Sequence, residues 1–347
     1  MWQSDGAQPA EKGRKTEEMK RIGNIYERII SLDNLRLAEA RARQGKEKSR
    51  GVRAFDRDPE GKLLALHELL RRREFRTSPY HIFKIYEPKE REIYELPYFP
   101  DRIVHHALMN VLGPMFNRAF LPRTYSSIEG RGAIKLRDRL KRDLRKDPEG
   151  TRYCLKCDVR KYFPSIRHDV LKDQLRRKIK DKRALALLFE IIDSTEGLPI
   201  GNYTSQTLAN FYGLPIVQAF CGRCCYLYTD DFVLLGSSKE GLREDRQRLC
   251  GIFASLGLRM KDNWQIFPVD ARGIDFVGLR FFHGRILLRK KIKRNMLKAA
   301  ARVRKGTADK HKALGGYLGW LYASDSRNFN YKHNLIWQTT SNTSWRR

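Results

Sequence analysis

The chain has 347 residues, and 70 Lys and Arg against 40 Asp and Glu leave a formal net charge of +30. Such a length can bury two or three cores of ordinary size, and so strong a positive balance calls for a polyanionic partner. No apolar run approaches the roughly 18 residues that span a bilayer, and the opening MWQSDGAQPAEKGRK lacks the apolar centre of a signal peptide, so an intracellular, cytoplasmic protein is expected.

The first stretch is basic and polar, with Ile22, Ile25, Ile29 and Ile30 at helical spacing. Asp58 followed by Pro59 predicts the start of a second helix through GKLLALHELLRRREF. Between Tyr80 and Tyr98 the pattern turns to two β-like pieces around a turn at Pro88, Lys89 and Glu90. Helices are expected from Arg102 to about Phe116 and over AIKLRDRLKRDLRK, separated by the loop LPRTYSSIEGRG. A strand over Tyr153–Val159 comes next, then helices near 168–180 and 184–192. GLPIGNYTSQ leads into an apolar helix, with Thr204 or Ser205 as its N-cap. Two β-rich runs, Cys225–Tyr228 and Phe232–Leu235, flank Thr229, Asp230 and Asp231 and predict a hairpin. A helix near 240–256 and a strand pair, GIDFVGLRFF then RILLRK, complete an α+β region. From Ile286 to Lys312 eleven Lys or Arg face one acid, Asp309, at helical spacing, which suits a face that tracks phosphates without reading bases.

Six cysteines over this length do not make a disulfide framework. Cys154 and Cys157 lie in the predicted strand, where alternation sends them to opposite faces, a poor arrangement for one metal ion. Together with Cys221 and Cys224, which follow an apolar run, they are read as buried free thiols. The His105–His106 pair lacks a spaced third ligand and is read as packing or surface rather than as a metal site.

Adjacent acids in a turn are ordinarily solvated, but the apolar flanks of Asp230 and Asp231 imply a buried hairpin. Asp158 ends the strand LysCysAspVal, where the chain turns away toward Pro164. If both strands share one antiparallel sheet, Asp158 and Asp230 meet at its end. Carboxylates so close need cations between them, and two Mg²⁺ ions roughly 3.5–4 Å apart would activate a 3′-hydroxyl for attack on a nucleotide phosphate. The bland alternative is a set of turn and capping acids.

These residues also carry a resemblance. YTDD at 228–231 is similar to the Tyr-x-Asp-Asp box of reverse transcriptases, and KCDVRKYFPSI at 156–166 to the aspartate motif that precedes it. DRIVHHALMNVLGPMF at 101–116 and SSIEGRG at 126–132 resemble finger motifs of the intron-like bacterial enzymes, and GIDFVGLRFF the strand pair before the thumb. GLPIGNYTSQ stands where most of the family has Gln-Gly-x-x-x-Ser-Pro. With LKCDVRKYFPSI, MKDNWQIFPV and LGWL it resembles the enzymes of diversity-generating retroelements, which copy a template RNA with errors at adenines.

The resemblance implies a right-hand polymerase: a helical basic extension over 1–52, fingers over 53–150, a palm with an antiparallel sheet over 151–285, and a helical basic thumb and tail over 286–347. It implies that Asp158, Asp230 and Asp231, with the Val159 carbonyl, hold two Mg²⁺ ions, Mn²⁺ being a substitute. Phe163 matches the bulky gate against a 2′-hydroxyl, with ordinary core packing as the other reading. Lys89 and Arg91 match residues that grip the triphosphate, or else form a solvated basic turn. Ile200, Gly201 and Gln206 would flank the nascent pair, Ile200 replacing a polar glutamine and so lowering fidelity, and Lys261 corresponds to the lysine that protonates departing pyrophosphate. Arg131, Arg289, Lys290, Lys291, Lys293 and Arg294 are expected on nucleic acid. The partners implied are dNTPs, template RNA, the RNA/cDNA duplex and a small basic ring-forming accessory protein, with no membrane.

Thr229 stands where Met or Ala is commoner, and the Cys221–Cys225 segment has no counterpart in the family. Rival readings are an intron-type or retron reverse transcriptase and a catalytically silent RNA-binding protein of the same fold. The 35 residues after Lys312 hold no Cys/His endonuclease module, which speaks against an intron protein, and three intact acids speak for activity.

Overall fold

Antiparallel pairing builds every sheet in the computed structural model, which describes residues 21–86, 90–333 and 335. The chain divides into two compact units, each discontinuous in sequence. Of the described residues, the first comprises those between 21 and 121, 160–222 and 252–259; the second comprises 122–159, 223–251 and those between 260 and 335.

The first unit is mostly helical. Ser31, Ser49 and Asp58 each cap a helix by accepting a backbone N–H, and Pro59 follows Asp58 at the first helical position as predicted. That helix, Pro59–Arg71, buries Leu63, Leu66 and Leu70, one stripe at helical spacing. Asp181 caps Lys182–Ile192 and also accepts the N–H groups of Ile25 and Tyr26, tying the helix Tyr26–Ile30 into this core. β1 (His81–Tyr86) and β2 (Glu90–Glu95) form a two-stranded ribbon with mostly exposed side chains. The expected turn between them lies outside the described residues. In the helix Ile103–Ala119 both histidines are buried, and the His106 ring stacks on Tyr203 at 3.7 Å. Burial pushes His105 down to about 3 and His106 to about 4, so both rings are neutral packing elements.

The second unit holds a four-stranded sheet in the order β4-β5-β3-β6, formed by β3 (Tyr153–Asp158), β4 (Cys225–Tyr228), β5 (Asp231–Gly236) and β6 (Gln265–Pro268). Cys154 and Cys157 point to opposite faces, and both are buried because both faces are covered. The amphipathic helix Ala133–Lys146 packs Leu136, Leu140 and Leu144 into a core shared with Cys154, Tyr226, Val233 and Leu235. β7 (Ile274–Phe276), β8 (Leu279–Phe281) and β9 (Ile286–Leu288) form a second sheet, followed by the helices Lys290–Arg304, Lys310–Tyr322 and Arg327–His333.

Three expectations are corrected. GIDFVGLRFF is not one strand paired with RILLRK but is itself a strand pair, as the resemblance implied, because the chain reverses at Val277 and Gly278, both at positive φ. Cys221 is exposed and Cys224 half-buried, since the apolar run ends at Phe220 and a turn follows. Thr204 is the N-cap residue of Ser205–Tyr212, yet its side chain makes no capping bond because its backbone is already helical. Among the described residues, no helix is long and apolar enough to cross a membrane.

Candidate active site

β3 ends at Asp158 because the backbone then bends through Lys161 at φ 46 into a single turn at Phe163–Ser165. β4 and β5 reverse at Thr229 and Asp230, with Thr229 at φ 59. In the β3–β5 register Asp158 lies opposite Asp231. The Val159 N–H donates to the Asp230 carbonyl at 3.0 Å, and Lys261 N–H donates to the Asp158 carbonyl at 2.9 Å. Backbone bonds from three separate segments thus gather Asp158, Val159, Asp230, Asp231 and Lys261 at one end of the sheet.

The electrostatics follow from that crowding. Asp231 is pushed up to about 7, first by burial and then by the carboxyls of Asp158 and Asp230, with Lys156 pulling the other way. Its Oδ1 is buried and accepts no hydrogen bond, although the Lys156 ammonium is 3.4 Å away. Lys261 Nζ stands 3.7 Å from Asp158 and 3.9 Å from Asp230. Two ammonium groups therefore balance three carboxyls. Sequence reading overlooked Lys156, yet strand alternation signals it, since Lys156 shares a face with Asp158 two residues on.

An all-oxygen donor set in which one buried carboxylate oxygen accepts no hydrogen bond fits a hard divalent cation such as Mg²⁺ or Mn²⁺. Among the described residues no group of three or more His, Cys, Asp or Glu side chains already encloses one ion position. Lys261 instead bridges Asp158 and Asp230.

The remaining candidates fall in both units. In the first, Leu198 N–H donates to the Phe163 carbonyl at 2.9 Å, and Tyr94 N–H donates to the Ile200 carbonyl at 2.8 Å. The 197–202 loop therefore joins Phe163 to β2, where Arg91 is exposed. Gly201 has φ 138, and a Cβ there would lie 2.1 Å from the Tyr94 carbonyl oxygen. Phe163, Ile200 and Gln206 are half-buried. Lys89 lies outside the described residues. In the second unit Arg131 donates to the Thr124 carbonyl at 3.0 Å, and Arg289 is ion-paired with Asp275. Lys293 sits over the Phe329 ring, while Lys290, Lys291 and Arg294 are exposed.

Other polar contacts around the turn carried no motif. Thr229 Oγ1 donates to Ser126 Oγ at 2.8 Å, and Tyr226 Oη donates to Asp143, which also pairs with Arg123 and Arg139. Helical spacing shows which Leu of Ala133–Lys146 face the core, but only the assembled fold shows that Asp143 joins them.

A mixed helix-and-sheet unit with a carboxylate-bearing hairpin beside a carboxylate-ended strand is the arrangement of a polymerase palm. The family model for reverse transcriptase (RNA-dependent DNA polymerase) matches residues 88–281, more than half the chain, and the protein belongs to that family. Among solved structures, apo telomerase from Candida tropicalis is similar at 13% identity and a TM-score of 0.46, covering 60% of this chain and 48% of that one. Telomerase from Candida albicans in complex with the TWJ fragment of telomeric RNA is similar at 11% identity and a TM-score of 0.44, covering 66% and 51%. The chain thus spans about half the length of these structures. No curated protein matches it.

Proposed function

We propose that this protein copies an RNA template into DNA by adding dNTPs to a 3′-hydroxyl, as the polymerase of a diversity-generating retroelement. The observation that carries the reading is the meeting of Asp158 with the Asp230–Asp231 turn, three carboxyls at one sheet end with Asp231 held near 7. Groups so placed work as anions only beside cations.

Asp158, Asp230 and Asp231, with the Val159 carbonyl, are the groups to hold two divalent ions. When bound, such ions lower the 3′-hydroxyl's pKa and neutralise charge on the departing pyrophosphate. Lys261 stands close enough to two of the carboxyls to take part in that charge balance and to supply a proton to the leaving group. In this reading Phe163 excludes the 2′-hydroxyl, and Arg91 with Lys89 grips the triphosphate. Ile200, Gly201 and Gln206 line the nascent pair, with Ile200 lowering fidelity at template adenines. Arg131 and the 289–294 cations contact the template and the RNA/cDNA duplex, within fingers, palm and thumb divided as the motifs suggest. A basic ring-forming accessory protein is the expected partner, in the cytoplasm.

Primer extension on an RNA template with Mg²⁺ tests the activity: wild type should synthesise cDNA, and Asp230→Asn should lose at least a hundredfold. Equal synthesis by both ends the mechanism. Sequencing the cDNA tests the subtype, because uniform errors over all four template bases would point to an intron-type or retron enzyme.

A further inference from the structure

The helix Ala133–Lys146 has a second face that the copying reaction does not use. Its core stripe is Leu136, Leu140, Asp143 and Leu144. On the opposite side Asp138, Lys141, Arg142, Arg145 and Lys146 fall at i, i+3, i+4, i+7 and i+8, one continuous stripe. These five residues line an open groove of about 440 Å³. Its single acid is already engaged, since Arg137 lies 2.6 Å from Asp138. Asp147, just past the helix, is turned to the Gly150 N–H at 2.8 Å. Among the described residues no carboxylate lies within ion-pair distance of Lys141, Arg142, Arg145 or Lys146.

We infer that this groove is a second RNA-binding surface, which seats the sugar–phosphate backbone of a folded RNA segment away from the carboxylate site. Four unpaired cations within two turns repel one another, and a polyanion relieves that repulsion while releasing its own counterions. Lys141 and Arg145, like Arg142 and Lys146, stand one turn apart, roughly 6 Å along the axis. Two parallel rows at that spacing suit successive phosphates of one strand. The lining holds no aromatic or aliphatic side chain, so it lacks both the apolar centre of a protein interface and the aromatic platform on which successive bases stack. Such a surface holds backbone and leaves sequence unread. The choice of RNA over other polyanions rests on the RNA-copying function proposed above.

The test is equilibrium binding of the full chain to a fluorescent RNA stem-loop across a salt series, with no nucleotide present. Because no synthesis is involved, a failure of the polymerase reading and a failure of this one are distinguishable. Replacing Lys141, Arg142, Arg145 and Lys146 by Gln should lower the slope of log K against log salt by about 3–4, and weaken binding at least tenfold at low salt. A control variant neutralising four exposed cations elsewhere, Lys46, Lys48, Arg57 and Arg118, should keep the slope within about one of wild type. Circular dichroism and thermal melting should match wild type for both, since the replaced side chains lie outside the core. An unchanged slope in the groove variant overturns the proposal. So does an equal loss in the control, which would mark net charge alone. So too does selective loss of binding to poly-glutamate or duplex DNA with RNA binding intact, which would assign the groove to another partner.

Discussion

The hydroxyl of Thr229 donates to that of Ser126 at 2.8 Å, although 103 positions separate the two residues. Thr229 carries φ 59 between the two strands of the hairpin. A β-branched residue in the left-handed region costs roughly 1–2 kcal/mol, and the bond to Ser126 holds the turn in that conformation. Ser126→Ala should therefore cost about 1 kcal/mol of stability. It should also slow cDNA synthesis several-fold in kcat, with a smaller change in KM for dNTP. Wild-type kcat in this variant would show that the turn holds its shape unaided.

Asp231 sets a pH dependence of metal-free stability whose sign runs opposite to an ordinary ion-paired carboxylate. Its pKa in the fold is near 7, well above the unfolded value near 4, chiefly because of burial and then the carboxyls of Asp158 and Asp230, with Lys156 opposing. The folded state thus binds this proton more tightly. Stability linked to it is present below about pH 4 and declines as pH rises through 7, by a few kcal/mol at most. Asp231→Asn should raise the melting temperature of metal-free protein at pH 8 and leave it nearly unchanged at pH 4.5. Mg²⁺ should stabilise wild type more at pH 8 than at pH 6. Parallel melting curves for wild type and variant across that range would refute the assignment.

Asp143 should behave in the ordinary sense. Burial raises its pKa, but the Tyr226 hydroxyl and the Arg123 and Arg139 guanidinium groups outweigh it, leaving the carboxyl below its usual value. Its contribution is present at neutral pH and is lost as pH falls through that depressed value. Asp143→Ala strands two guanidinium groups and a buried hydroxyl, so a loss of about 3–5 kcal/mol is expected in urea unfolding. A loss under about 1 kcal/mol would mean that the network contributes little.

Gly201 offers a purely steric test. Its φ of 138, and the 2.1 Å that would separate an alanine Cβ from the Tyr94 carbonyl oxygen, leave no room for a side chain. Gly201→Ala should destabilise by about 2 kcal/mol or more. Gly113, whose Cβ would meet nothing within 4 Å, is the control, because helical Gly→Ala there should be neutral or mildly stabilising. Equal melting temperatures for wild type and Gly201→Ala would show that the loop moves off β2.

Local chemistry made much of this protein legible from its residues. Asp58–Pro59, the apolar stripes of the helices and the two β-rich runs around ThrAspAsp announce their elements because caps, periodicity and turns act over a few residues. The motif order likewise named the family that the 88–281 match bears out. What the tertiary structure decided is which distant groups share a low-dielectric space. Lys261 between Asp158 and Asp230, Lys156 beside Asp231, Ser126 under Thr229 and Asp143 among three donors each depend on strands or loops brought together across the fold. Charge is a property of a side chain, but its pKa and its partner belong to the neighbours that folding supplies.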